Sequence, residues 1–284
     1  MVDKLQVDKA TRFLRMHDRT AILVLPNAWD AASARIFEEA GFQALASTSA
    51  GVAASLGYPD GEQISRDEMV EAVGRIVRCV AVPVTADMEA GYGPGLDAVT
   101  QTIQAVIAVG AVGMNLEDST SDEKNPLMEI SAQVERVRAA RQAADRVGVP
   151  FVINARTDVY LLAVGKESDR FEHAVRRANA YREAGADCLF IPGVRDADTI
   201  AALVRAINGP INVLAGPVTP SIIELEKLGV ARVSLGSGPM RAALTTTRRI
   251  ARELRDRGTY DSFTRDTITH AEVNKLMAAR RQPK

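Results

Sequence analysis

The chain has 284 residues, 46% hydrophobic and 25% charged, with a formal net charge of -1. This is ordinary globular composition, and the near-neutral balance gives no electrostatic reason to expect nucleic acid or an acidic membrane as a partner. The length fits a single α/β barrel as well as it fits two smaller domains.

The N-terminal stretch Met1–Leu14 is charged and amphipathic and lacks an apolar core of signal-peptide length. Short apolar runs then alternate with segments of helical period. A strand at Ala21–Leu25 precedes a helix near Ala31–Ala40, closed by Gly41. Phe42–Ala46 leads through a glycine-containing loop to a helix at Arg66–Arg78. Pro83–Met88 precedes Gly95–Val109, and Gly113–Glu117 precedes Ala132–Arg146. Phe151–Arg156 precedes Arg170–Glu183, and Cys188–Ile191 precedes Asp198–Ile207. Ile211–Leu214 leads to Ser221–Lys227, and Arg232–Leu235 to Pro239–Leu254.

Eight strands alternating with eight helices, joined at Gly41, Gly185 and Gly229, read as parallel βαβ units. An open doubly wound sheet would carry a glycine-rich turn after its first strand, whereas this chain has Pro26-Asn27-Ala28-Trp29-Asp30. The expected fold is a (β/α)8 TIM-type barrel forming one domain over residues 1–284. Residues 258–284 form a C-terminal helical extension, its last helix near Ala271–Arg280. These helices have no place in a minimal barrel and are expected to pack on a neighbouring subunit.

The run Val99–Leu116 is broken by polar residues and by Gly110 and Gly113, so it reads as helix, turn and strand rather than a membrane span. A soluble, cytoplasmic protein is expected. Cys79 and Cys188 have no ligand spacing and read as buried free thiols. His17, His173 and His270 lie in helical segments and read as surface histidines, which leaves no zinc site or serine–histidine relay in view.

Chemistry in such a barrel sits where the strands end. The third strand ends in Asp87-Met88-Glu89, followed by Gly91-Tyr92-Gly93. Asp87 and Glu89 share a side if strand geometry persists, and two converging carboxylates call for a hard cation such as Mg²⁺ between them. The alternative is a pair of acids capping the next helix. The fourth strand offers Glu117 as a further ligand, with Asp118 free to orient the loop. The fifth ends in Arg156, whose planar fork suits a substrate carboxylate, although a buried ion pair with Glu117 or Asp158 is also consistent with its place. Ser47-Thr48-Ser49 forms a small-residue turn whose N–H groups could hold an oxyanion, and Asp60 adds an acid in the next loop.

Asp87-x-Glu89-x-Gly91-Tyr92-Gly93, with Leu116-Glu117-Asp118, Ala155-Arg156 and Leu56-Gly57 upstream of Asp60, resembles the isocitrate lyase/phosphoenolpyruvate mutase superfamily. The resemblance runs from Pro26 to Gly236. It implies a barrel that exchanges its eighth helix between paired subunits, usually a homotetramer built as a dimer of dimers. It also implies Mg²⁺, with Mn²⁺ as a substitute, bound directly by Asp87 and through water by Asp60, Glu89 and Glu117. Arg156 would grip the carboxylate of a small 2-oxo or dicarboxylic acid, and Ser47, Thr48 and Ser49 match the oxyanion-binding segment.

This chain departs from the lyase branch where a Lys-Cys-Gly-His loop would follow the fourth strand. Ser119–Pro126 stands there instead, with Lys124 and Asn125 as candidates for the catalytic group on a mobile gate. Pro192-Gly193 and Gly216-Pro217 replace polar residues suited to a tricarboxylate, which disfavours isocitrate and methylisocitrate. The expected reaction is C–C cleavage beside a small 2-oxo acid through an enolate. P–C chemistry on phosphonopyruvate is the second reading, and a metal-dependent 2-oxo acid binding protein with little turnover is the third.

Overall fold

The computed structural model describes residues 3–18 and 20–278. Helix α1 (Lys4–Arg15) comes first, followed by the split strand β1 (Leu23–Leu25) and β2 (Asn27–Ala28), then α2 (Ala31–Glu39). Next come β3 (Leu45–Ser47), α3 (Ser49–Ser55), α4 (Arg66–Cys79), β4 (Val84–Asp87), α5 (Leu96–Ala108), β5 (Gly113–Glu117) and α6 (Ile130–Val147). The second half runs β6 (Val152–Arg156), α7 (Arg170–Glu183), β7 (Cys188–Phe190), α8 (Ala197–Ala206), β8 (Ile211–Leu214), α9 (Ile222–Lys227), β9 (Arg232–Ser234), α10 (Gly238–Arg257) and α11 (His270–Ala278).

All neighbouring strands pair in parallel, in the order β1-β9-β8-β7-β6-β5-β4-β3-β2. The sheet closes because β1 and β2 are one barrel strand interrupted at Pro26, a residue with no N–H to give to a ladder. β1 pairs with β9 and β2 with β3. Asn27 fastens this seam: its Nδ2 donates to Ser47 O at 2.8 Å, and its Oδ1 accepts from Leu235 N and Gly236 N. The expected TIM-type barrel is the observed fold.

The helices start where their sequences say they should. Asp30, Ser65 and Ser221 each close a capping box, which satisfies amides that the first turn leaves free. The expected strand Gly113–Glu117 and helix Arg170–Glu183 match the observed bounds. Two elements have no counterpart in the sequence reading. α1 packs Ala10 and Phe13 into the core, and Gln6 Nε2 donates to Ile107 O and Ala111 O. α3 occupies part of what was expected to be loop, since Ser49–Ser55 is a run of small residues with little helical signal.

Three expectations need correcting. His17 is buried, not on the surface: it follows α1, its Nδ1 donates to Phe13 O at 2.9 Å, and burial beside Arg232 pushes its pKa down to about 4. Cys79 is only half-buried, although Cys188 is buried and both thiols are free. α11 packs on α2 of its own chain, where Leu276 is buried and Arg35 Nε donates to Leu276 O at 2.9 Å. Residues 279 and 280 of the expected last helix lie outside the described residues. α10 behaves differently, burying Met240 alone over its length. Among the described residues no helix is long and apolar enough to cross a membrane.

Candidate active site

Asp87 ends β4, and its environment is built from three strands. Its Oδ2 accepts from Ser49 N and Ser49 Oγ, both at 3.0 Å, and its Oδ1 from Asn115 Nδ2 at 3.2 Å. Asn154 Nδ2 in turn holds Asn115 Oδ1 at 2.7 Å. Ser47 Oγ accepts from the Asp87 amide at 2.8 Å. In sequence, the N–H groups of the Ser47-Thr48-Ser49 turn suit an oxyanion. The structure instead commits Ser47 and Ser49 to Asp87, and the Thr48 amide to Ala28 O at 3.1 Å. These residues orient the carboxylate, and a small-residue turn carries no mark in sequence of which anion it serves.

The strand does not continue to Glu89, which has φ +50°. A left-handed conformation costs a non-glycine residue roughly 1–2 kcal/mol, and Glu62 (φ +55°) and Tyr92 (φ +60°) share it. Neighbouring bonds fix all three. Glu62 N donates to Glu89 Oε2 at 2.6 Å, and Tyr92 N donates to Glu62 Oε1 at 2.8 Å. From behind, the buried Arg136 of α6 donates to Gly93 O at 2.8 Å and to Ala90 O. Gly91 and Gly93 are free to take the positive φ found here, +91° and +138°. Here they answer close packing as well, since a Cβ on Gly93 would lie 2.8 Å from that of Ala98.

The acids at this mouth act on one another. Burial, then Asp87 and Asp60, raise Glu89 to about 7. Partial desolvation, then Asp87, raises Asp60 on the rim. Glu117 ends β5 and ion-pairs with Arg156 Nη1 at 2.6 Å while accepting from Ser119 Oγ at 2.6 Å. Burial pushes its carboxyl upward and the guanidinium opposes that. Arg156 also donates to both oxygens of Asp158, at 2.6 and 2.9 Å, and lies over the Phe190 ring. Burial works against its charge, but Glu117 and Asp158 outweigh that and hold it protonated. Both sequence alternatives for Arg156 are therefore compatible, because Nη1 and Nη2 each keep an N–H beyond these pairs. Removing one partner from such a cluster costs about 3–5 kcal/mol.

Asp118 has a supporting role. It is buried, accepts from Arg177 Nη1 at 3.0 Å, Tyr181 OH at 2.7 Å and Asp158 N at 3.0 Å, and so anchors α7 to the strand ends. The signal for this was present: Arg177 and Tyr181 sit four residues apart on the face of α7 that carries Ala174 and Ala178.

Lys124 and Asn125 do not join the carboxylates. They sit exposed on a small hairpin where Ser119 bridges Leu127, and Asp122 accepts from Lys124 N and Asn125 Nδ2, both at 2.9 Å. The structure thus brings together Asp60, Asp87, Glu89, Glu117, Arg156, Ser47 and Ser49, and leaves Lys124 and Asn125 outside.

The family model described as phosphoenolpyruvate phosphomutase matches residues 13–255. A solved structure of a putative lyase/mutase from Burkholderia cenocepacia superposes with a TM-score of 0.91 at 40% identity, covering 97% of this chain and 98% of its own. An uncharacterized protein of Mycobacterium tuberculosis is 34% identical over 86% of this chain and 89% of its own. An oxaloacetate decarboxylase of Rhodopseudomonas palustris is 31% identical over 76% and 74% respectively. Lyases and mutases recur among the named relatives. The chain belongs to the phosphoenolpyruvate phosphomutase family, within the isocitrate lyase/phosphoenolpyruvate mutase superfamily, and is an enzyme.

Proposed function

We propose that this enzyme depends on Mg²⁺, with Mn²⁺ able to substitute, and cleaves a C–C bond of a small dicarboxylic acid next to the carbon that carries, or on cleavage acquires, the 2-oxo group. Oxaloacetate-like and alkylmalate-like acids are the substrate class. The observation that carries this reading is the set formed by Asp60, Glu89, Glu117 and Arg156 around Asp87, whose charge acts on each of them. Glu89 also has a buried Oε1 with no hydrogen-bond partner among the described residues. Acids placed so close favour a hard, oxygen-binding cation. Asp87 would hold it directly, and Asp60, Glu89 and Glu117 through water. Among the described residues no three such side chains are grouped as a direct ligand set. When bound, Mg²⁺ supplies the positive charge that stabilises a developing enolate oxygen.

The chain's own residues do the rest. Ser47 and Ser49 hold Asp87 in place, while Thr48 shapes the wall beside it. Arg156, clamped by Glu117 and Asp158, presents its free N–H groups to a substrate carboxylate. The Ser119–Pro126 hairpin closes over the mouth, keeps water out and brings Lys124 or Asn125 to the reacting carbon. Pro192-Gly193 and Gly216-Pro217 offer no side-chain donors, which supports a smaller substrate than methylisocitrate.

The assembly we propose is a homotetramer of helix-swapped dimers, supported by α10, where Leu244 and Leu254 are exposed. A monodisperse monomer in light scattering would rule it out. The activity is tested by supplying Mg²⁺ with oxaloacetate, alkylmalates, 2-methylisocitrate or phosphonopyruvate and following pyruvate or glyoxylate. Turnover of phosphonopyruvate alone would move the assignment to P–C chemistry, and turnover unaffected by chelation would remove the metal.

A further inference from the structure

Glu62 is not among the acids assigned to the cation, yet it joins two of the loops that carry them. It stands two residues after Asp60, in the loop between α3 and α4. Its N–H donates to Glu89 Oε2 at 2.6 Å, and its own Oε1 accepts from the Tyr92 N–H at 2.8 Å. Among the described residues, these are the hydrogen bonds that link the Asp60 loop to the loop after β4. The three residues so joined share a left-handed backbone, with φ +55° at Glu62, +50° at Glu89 and +60° at Tyr92. Strain of this kind persists only where the surroundings fix it, and it gathers at functional sites.

Each bond has a distinct effect. The first occupies one oxygen of Glu89, so the buried Oε1, which has no partner among the described residues, is the one left to a ligand. The second fixes the turn that follows Glu89. Arg136 holds the same turn through Gly93 O at 2.8 Å and through Ala90 O. The opposite charges of Glu62 and Arg136 attract one another.

Without Glu62 the Asp60 loop would have little to hold it against the acids. It turns through Gly57 (φ +88°) and Gly61 (φ +95°), and nothing packs within 4 Å of where a Cβ would stand on either. Gln63 Nε2 bonds within the loop, to Gly61 O. Asp60 repels Glu89, and Asp87 repels both. Like charges so placed drive a free loop outward. Glu62 adds a further negative charge beside Glu89, so its contribution lies in its bonds and not in charge balance.

We propose that Glu62 is a positioning residue for the cation: by clasping the β4 loop it sets Asp60 and the free oxygen of Glu89 at the spacing that holds the cation's waters. The proposal rests on the Mg²⁺ reading above, and its test separates the two. Full-length protein is titrated with Mg²⁺ alone, and binding is read by calorimetry and by thermal shift. Glu62→Gly keeps the N–H that serves Glu89 and takes a positive φ without strain, but loses the acceptor for Tyr92. It should bind Mg²⁺ about 10-fold more weakly than wild type, or weaker still. Glu62→Asn also tolerates a left-handed backbone and is one methylene too short to reach Tyr92 N. It should match the glycine variant and takes its place if that variant does not fold. Glu62→Gln restores an acceptor at full length and should return the affinity to that of wild type. Wild-type affinity in Glu62→Gly or Glu62→Asn, or a loss in Glu62→Gln as large as theirs, would overturn the proposal and leave the Mg²⁺ reading standing. Absence of Mg²⁺ binding in the wild type would overturn both.

Discussion

The loops leaving β4 and β5 start on neighbouring strands and are held in opposite ways. The β4 loop, from Met88 to Gly95, is fastened from outside itself: Glu62 reaches it from the preceding loop and Arg136 from α6. The β5 hairpin is fastened mostly to itself, with Asp122 gathering Lys124 and Asn125 and Thr120 bonding Pro126 and Asn125. A segment braced by the core can hold strained residues such as Glu89 in place. A segment tied only to its own turn can move as a unit at small cost. The bracing is concentrated beside the acids, while the hairpin is left largely to its own bonds, which is the division that the proposed gate requires.

The difference can be broken at several points. Asp87→Ala should lower Mg²⁺-dependent turnover by about 10²–10³-fold or more with the circular dichroism spectrum unchanged, and near-normal activity at limiting Mg²⁺ would remove Asp87 as the ligand. Arg136→Met should destabilise the fold by about 2–4 kcal/mol, because two loop carbonyls and Gln133 lose their donor; an unchanged urea midpoint would mean the β4 loop does not need its brace. Adding Mg²⁺ at about 100 times its Kd should stabilise the wild type by about 2.7 kcal/mol and leave Asp87→Ala unmoved, as read by thermal unfolding. Lys124→Ala and Asn125→Ala should change stability by less than about 0.5 kcal/mol while lowering kcat, whereas Arg156→Ala should also raise KM. If both hairpin variants keep wild-type kinetics, and the loop stays open in crystals with an oxalate-like inhibitor, the gate is refuted.

The fold was legible because its strands and helices repeat with glycine stops and capping residues at the junctions, as at Gly41, Ser65 and Gly185. Asp87 and Glu117 were legible because each closes an apolar strand, where a charge needs a reason, and Glu89 and Asp60 by their place beside those ends. What stayed hidden was contact over long sequence separations. Nothing local marks Ser49 as a partner for Asp87, or Arg136 as the brace of a loop more than forty residues upstream. His17 was misread for the same kind of reason: its segment looks polar, and only the packed barrel shows that α1 carries it inside.

The interrupted first strand has a consequence for how the chain reaches this state. Because Pro26 divides it, β1 must find β9 and β2 must find β3 separately, and Asn27 bonds to residues more than two hundred positions later. Until Leu235 and Gly236 arrive, β1 lacks its neighbour and the sheet has two open borders. During synthesis the chain therefore carries an unfinished cylinder almost to its end, a stage at which exposed ladder groups invite pairing between molecules. Contacts of such long span also slow folding, so Asn27→Ala should lower refolding yield at high protein concentration more than it lowers the activity of molecules that have closed.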